Sequence, residues 1–203
     1  MRNFKIGLVL AFFLAGPLSY AMDQESGGTG DGGTAASIFK VSENNNYADN
    51  LALRGERKIG LAGLVGGAVG LLGLNIEINF EDINGALVSV GGGDGYRAVN
   101  IAWKHVFPGD TIAPYTTLGF AHWNDNGRVN YKNSGVLERV LNQEEKNSGK
   151  FTADFISGAV GLQYTHLNGS LAGASLFAEV VLLGDLESAT LVPTGAVGAG
   201  YYF

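Results

Sequence analysis

The chain ends in Val197-Gly198-Ala199-Gly200-Tyr201-Tyr202-Phe203, and this stretch decides the fold. Successive side chains of a β-strand point to opposite faces, so every second residue counted back from Phe203 lies on one apolar face. The chain therefore closes with an amphipathic strand that ends in an aromatic residue. A short stretch can alternate in any half-buried sheet, so the fold class depends on whether the remaining sequence continues the pattern.

From residue 57 onward the sequence continues the pattern in eight segments separated by turn residues. Asn84-Gly85 and Asn168-Gly169 favour two-residue type I′ hairpins, and Pro108-Gly109-Asp110 marks a third tight turn. The predicted strands are residues 57–66, 69–80, 86–92, 96–107, 111–123, 151–166, 171–184 and 190–203. This pattern predicts an all-β fold, an antiparallel up-and-down transmembrane β-barrel, with both ends of the sheet and the three tight turns on the periplasmic side.

Residues 59–74 offer a second interpretation, because they carry no charge and contain Gly-x-x-x-Gly spacings that suit a packed membrane helix. At about 1.5 Å per residue this segment reaches only about 24 Å, and each Gly costs about 1 kcal/mol of helix propensity. From Leu72 to Phe80, apolar residues alternate with Gly73, Asn75, Glu77 and Asn79. Two strands with an apolar outer face and a polar inner face fit this sequence better.

The same alternation places five polar side chains inside the barrel, namely Glu77, Asn100, Lys104, Gln163 and Glu179. Glu77 and Lys104 each lie three residues before a predicted tight turn, so we expect them to form an ion pair, directly or through water. A buried charge is tolerated only when it is paired or hydrated. We favour a structural polar interior over a proton or solute path, with small neighbouring residues that leave room for water.

Aromatic side chains are expected to form a girdle at each rim of the barrel, where a ring with one wet edge is favourable. The residues near the periplasmic rim are Phe80, Phe107, Tyr164, Tyr201 and Phe203, and those near the external rim are Tyr96, Trp123 and Phe151. Residues 124–150 form the one long external connection. Its Val136, Leu137, Val140 and Leu141 have helical spacing, which predicts a short helix over the barrel mouth or an element that contacts a partner or lipopolysaccharide.

The opposite terminus has the features of an export signal. Arg2 and Lys5 precede an apolar run over residues 6–16, and Ser19-Tyr20-Ala21 places small residues where a signal peptidase reads them. About 11 apolar residues are too few to cross about 30 Å of hydrocarbon as a helix. We therefore expect a signal peptide over residues 1–21.

Residues 22–56 are expected to form a flexible periplasmic segment ahead of the barrel. The first part is polar and rich in glycine, and it cannot bury enough apolar surface to offset its ordering entropy. Its Gly28-x-Gly30-x-x-Gly33 lacks the strand and helix that a dinucleotide site needs. Residues 35–56 are mixed in composition, and they could pack against the barrel or extend its first strand.

Composition and charge exclude several classes of function. Without residues 1–21, 11 basic residues remain against 19 acidic ones, so an exported chain of this charge is not expected to bind nucleic acid. The chain has no Cys and no His-x-x-x-His pair, so neither a metal site nor a cofactor is expected.

The three histidines are the candidates for a general base. His122 lies at the external end of its predicted strand, with Asp125, Ser134 and Asp154 in plausible reach. A base must lie within hydrogen-bond distance of its nucleophile, which a sequence does not show, so no catalytic residue is assigned. A lipid A-modifying enzyme and a narrow channel for small solutes stand as alternatives to a structural or surface-interaction role.

The export signal, the alternating strands and the terminal Phe203 together resemble the small eight-stranded outer-membrane proteins of Gram-negative bacteria, the group of OmpA-type and OmpX-type barrels. The resemblance covers about residues 57–203 and implies a protein of the cell outer membrane, in contact with its lipid and lipopolysaccharide. Gly198, Tyr201 and Phe203 resemble the signal that the outer-membrane assembly machinery reads, although Val197 stands where a polar residue is usual. The group shares no single functional motif, so no functional residue is carried over.

Overall fold

The computed structural model describes residues 45–127 and 134–203. Each strand pairs antiparallel with the next, and the last pairs with the first, so the predicted eight-stranded closed barrel is confirmed. The strands are β1 Ile59–Gly66, β2 Leu72–Asn79, β3 Asn84–Gly93, β4 Tyr96–Val106, β5 Ile112–Asp125, β6 Thr152–Thr165, β7 Ala174–Asp185 and β8 Leu191–Tyr202. The helices are α1 Asn50–Glu56, α2 Leu137–Val140 and α3 Gln143–Ser148.

The two ends of the barrel differ in their connections. The tight-turn end carries the start of β1, the end of β8 and the connections β2–β3, β4–β5 and β6–β7. The long-loop end carries the other four connections, including the β5–β6 segment with α2 and α3. The predicted signal peptide and the remaining residues up to 44 lie outside the described residues.

Apolar side chains cover the outside of the barrel. Every strand presents at least two large apolar residues on its outer face, such as Leu191 at 70% exposure and Val160 at 61%. Between them, inward positions such as Gln163 and Val181 are 1% exposed. A water-soluble sheet would present polar side chains on its exposed face, and the apolar exposed face here follows from the period-2 alternation in the sequence.

The β1–β8 junction continues the alternation of the C-terminal strand. Leu61 lies opposite Tyr201 and Val65 opposite Val197 on the outside, while Tyr202 points inward at 3% exposure. The Phe203 N–H donates to the carbonyl of Ile59 at 2.8 Å, which extends the ladder by one bond.

Two predicted type I′ turns are wrong. Asn84 and Gly85 are instead the first residues of β3, paired with His105 and Lys104, and the turn lies over residues 80–83. Asn168 is extended, at φ −131°, because it forms a β-bridge with Asn46. Tertiary pairing therefore overrode the local turn preference at both sites.

The membrane-helix interpretation of residues 59–74 is also excluded, because β1 and β2 occupy this region. They are joined by a 3₁₀ turn at Gly67–Val69, with positive φ at Gly66, Gly67 and Gly70. Within the described residues, none of the helices is long and apolar enough to cross a membrane.

Candidate functional site

A network of buried charged and polar groups centres on Glu77. One carboxylate oxygen, Oε2, accepts from Lys104 Nζ at 2.8 Å and from the Tyr202 hydroxyl at 2.8 Å. The other, Oε1, accepts from the guanidinium of Arg54 on α1. Glu77 and Lys104, which the sequence predicted to pair, are therefore in direct contact, with Arg54 as a second cation.

The network continues across the lumen through Gln163. Its Oε1 accepts from Lys104 Nζ at 2.6 Å, and its Nε2 donates to Tyr202 Oη at 3.0 Å and to Thr165 Oγ1 at 3.1 Å. Lys104 Nζ also lies 4.5 Å from the centre of the Tyr115 ring, within cation–π range.

The remaining two predicted lumen residues make separate contacts. Glu179 accepts from the Tyr115 hydroxyl at 2.8 Å, and Asn100 accepts from Ser157 Oγ at 3.0 Å. Thus three of the five predicted residues are joined directly, Glu179 is reached through Tyr115, and Asn100 stands apart.

Sequence reasoning missed Arg54, Tyr115 and Tyr202. Tyr202 could have been found by parity, because it alternates with the outward Tyr201 and Phe203. A second signal was charge balance, since the predicted lumen held two carboxylates and only Lys104 as a cation. An additional cation from outside the strands was therefore to be expected.

Residues 45–57, which we call the floor, lie across the tight-turn end. Arg54 Nε donates to the Asp82 carbonyl at 2.8 Å, in the β2–β3 turn. The Asn50 N–H donates to the Asp110 carbonyl at 3.2 Å, and the Tyr47 N–H to the Leu167 carbonyl at 3.1 Å, so the floor is bonded to all three tight turns. Of the two alternatives stated for residues 35–56, the described residues 45–56 follow the first, because α1 packs against the barrel and does not extend β1.

Arg57 fixes the junction between the floor and β8. Its Nη1 donates to the carbonyls of Ala172 and Tyr202, each at 2.7 Å, and its Nε donates to the Tyr47 hydroxyl at 2.9 Å.

Arg54, in α1, keeps its charge although it is buried. Burial alone would lower the pKa of Arg54, but the Glu77 carboxylate and the Tyr202 hydroxyl outweigh burial and raise the pKa. Arg54 is therefore a permanent cation.

Apolar packing closes the long-loop end. We call residues 134–151 the cap; its Leu137 and Leu141 are buried against barrel residues that include Trp123 and Phe155. The Trp123 indole N–H donates to the Ala68 carbonyl at 2.8 Å. The short helix predicted from the spacing of Val136, Leu137, Val140 and Leu141 appears as α2, at Leu137–Val140.

The external aromatic girdle was predicted wrongly. Tyr96, Trp123 and Phe151 are 6%, 1% and 4% exposed and belong to the apolar cluster that joins the cap to the barrel. Tyr96 and Trp123 stack with their ring centres 4.8 Å apart. Tyr96 and Trp123 lie at the height of the external rim, but they alternate in step with the inward Ala98 and Ala121 and therefore point into the barrel. At the tight-turn end, Phe80, Phe107, Tyr164 and Phe203 are exposed outward.

A small cavity with a mixed polar and apolar lining lies between the floor and the cap. It offers about 50 Å³ to water and is lined by side chains that include Asn100, Lys104, Tyr115 and Glu179. A water molecule needs about 10–15 Å³ of such space, so the cavity holds a few. This space is sufficient for a few water molecules beside the charged network and is far smaller than the lumen of a wide pore.

Of the four residues considered for catalysis, only two come together. His122 Nδ1 and Asp154 Oδ1 are 2.6 Å apart on the outer face, with both side chains partly exposed. Ser134 belongs to the cap, where its Oγ accepts from the Leu137 N–H at 3.3 Å, and Asp125 accepts from the Gly127 N–H. Within residues 45–127 and 134–203, no hydroxyl is bonded to His122, and no group of acidic or histidine side chains could hold a metal ion.

Comparison with known proteins defines the fold. The chain matches no protein-family model, and no curated protein is similar to it in sequence. The N-terminal β-barrel domain of Pseudomonas aeruginosa OprF aligns at a TM-score of 0.51 and 16% identity, over 71% of this chain and 96% of that domain. The Yersinia pestis outer membrane protein Ail aligns at a TM-score of 0.42 and 15% identity, over 73% of this chain and all of that one. The chain thus shares its barrel architecture with the OprF domain, at an identity that defines the fold only.

Proposed function

We propose that this chain is an integral protein of the cell outer membrane, a sealed barrel that holds the cap at the external surface in a structural or surface-interaction role. The observation that carries the proposal is the combination of an apolar outer face on every strand with a floor and a cap that are packed over the two ends of the lumen. Contiguous apolar surface of this extent is unfavourable in water and suits lipid. The tight-turn end is then periplasmic and the cap external.

The closed lumen supports a structural role over conduction. A solute crossing the barrel would have to displace the floor, the Glu77 network and the apolar packing of Leu137, in that order from the periplasm. Charged groups engaged with each other are not free to line a path for ions. Conduction of small solutes would therefore require the floor and the cap to move, whereas a structural role requires no change in the folded state.

Partners follow from this location. The outer face would contact membrane lipid and lipopolysaccharide, and Gly198, Tyr201 and Phe203 would be read by the assembly machinery. Gly198 also has a purely structural reason to be glycine, because a Cβ there would overlap the Phe177 ring. Deleting Phe203 should slow insertion while leaving the assembled barrel nearly as stable; normal insertion of the truncated chain would contradict its role in assembly.

Two measurements test the proposal. The unboiled protein should migrate faster than the boiled protein in a detergent gel, with a β-type circular dichroism spectrum. Reconstituted in a planar bilayer, the wild-type chain should show no steady conductance. Identical migration with a helical spectrum would refute the membrane barrel, whereas steady conductance by an intact barrel would refute only the sealed lumen.

A further inference from the structure

The eight strands, all within the described residues, contain only two lysine or arginine side chains. Lys104 points inward and is bonded to Glu77. Arg97 points outward and is exposed, and it has no hydrogen-bond or ion-pair partner among residues 45–127 and 134–203. Its cross-strand neighbours are Gly92, which has no side chain to cover it, and Asn124. A charged side chain on the lipid-facing side of a strand is unfavourable unless it contacts a polar group, so the position of Arg97 calls for an explanation.

Arg97 belongs to a polar group on the outer face near the long-loop end, which we call the rim patch. Its members are Arg97, His122, Asn124, Thr152 and Asp154, on the adjacent strands β4, β5 and β6. Asn124 lies between Arg97 and Thr152 in one row, and His122 between Val99 and Asp154 in the next.

Apolar residues frame the rim patch. The next row towards the tight-turn end consists of Ile101, Phe120 and Ile156, with Ile101 60% exposed. On the other five strands, the outward residues nearest the long-loop end are apolar, as at Leu191, Leu72 and Val65. Among the outward strand residues at this end, the polar ones are therefore confined to β4, β5 and β6, directly beside the apolar surface that would contact acyl chains.

We propose that the rim patch binds the phosphate of an anionic lipid in the leaflet at the long-loop end, a proposal that rests on the membrane location proposed above. The Arg97 guanidinium supplies two parallel N–H donors that match a phosphate, and the Asn124 amide supplies another donor in the same row. His122 Nδ1 is hydrogen-bonded to Asp154, so the other ring nitrogen, Nε2, points away from the Asp154 carboxylate. The apolar row below accommodates the lipid chains, which a soluble phosphate lacks.

The test compares Arg97→Gln with wild type in phosphatidylcholine nanodiscs that contain increasing fractions of phosphatidic acid. The readout is the chemical shift of the His122 side chain, which lies within the patch. We expect a saturable shift for wild type and about a fivefold weaker apparent affinity for Arg97→Gln, as expected for one cation near a membrane surface. Lys58→Gln is the matched control, because it removes the same charge at the tight-turn end and should leave the titration unchanged.

Three outcomes would overturn the proposal: no shift with phosphatidic acid, an equal shift in Arg97→Gln, or the same shift produced by inorganic phosphate without anionic lipid. The last would identify a site for soluble anions. Gel migration of the same samples reports whether the barrel is inserted, so failure of the membrane location is distinguishable from failure of the lipid site. Arg97→Lys, which retains the charge but loses the paired donors, should fall between wild type and Arg97→Gln.

Discussion

The barrel is closed at its two ends by opposite chemistry. The floor is held by hydrogen bonds from its backbone and arginines to the turns, and by an ion network around Glu77. The cap is held by apolar side chains, with Leu137 and Phe155 each fully buried. The floor is destabilised when one hydrogen-bonding or charged partner is removed, because the remaining buried polar groups are left unsatisfied. The cap is destabilised when the volume of a packed apolar side chain is reduced. The two ends should therefore respond to different substitutions.

The largest effect is expected at the centre of the polar end. Glu77→Gln keeps the shape of the side chain but leaves Arg54 and Lys104 buried without their counter-charge. Breaking a buried ion pair in this way costs about 3–5 kcal/mol of unfolding free energy. Urea titration followed by gel migration measures it. Glu179→Gln serves as the comparison, because the hydrogen bond of Glu179 is to the neutral Tyr115 hydroxyl and not to a cation. An equal loss in both variants would contradict the central role of Glu77.

The next effect tests the apolar end. Leu137→Ala removes a fully buried side chain from the cap and should cost about 2–5 kcal/mol of local stability. Amide hydrogen exchange in residues 134–151 should accelerate while exchange in α1 stays unchanged. Val140→Ala, at a partly buried position, should have a smaller effect. Faster exchange throughout the barrel would show that the cap does not unfold separately from the strands.

A smaller effect is expected when the floor is detached and Glu77 retains its other cation. Arg54→Gln removes the bonds to Glu77 and Asp82 but leaves Lys104 in place, so we expect a loss of about 1–3 kcal/mol. Transient conductance should appear in planar bilayers, because the floor opens more often. Arg97→Gln, a charge-matched change on the outer face, should not conduct. A silent Arg54→Gln would mean that the cap alone seals the lumen.

The sequence predicted strands better than it predicted closures, for physical reasons. Strands of a membrane barrel carry a period-2 signal that lipid and lumen both enforce, so all eight were found and Glu77 and Lys104 could be assigned to one depth. Helix α1 has seven residues, too few to be stable alone, so its formation depends on contacts with distant turns that no local pattern records. Trp123 was wrongly predicted to belong to the external girdle, because its position near the rim was considered and the inward face of its strand was not.

The smallest effect concerns how the floor is built locally. Asp49 caps α1 by accepting the Ala52 N–H at 2.7 Å, and Asp49→Ala should cost about 1 kcal/mol. Because seven residues barely form a helix without tertiary contacts, this loss should appear as faster amide exchange in residues 50–56 and as no change in the cap. Asp49→Asn, which retains an accepting oxygen, should restore most of the protection. If Asp49→Ala leaves exchange in α1 unaltered, the contacts of Arg54 and Arg57 hold the floor without help from its own helix.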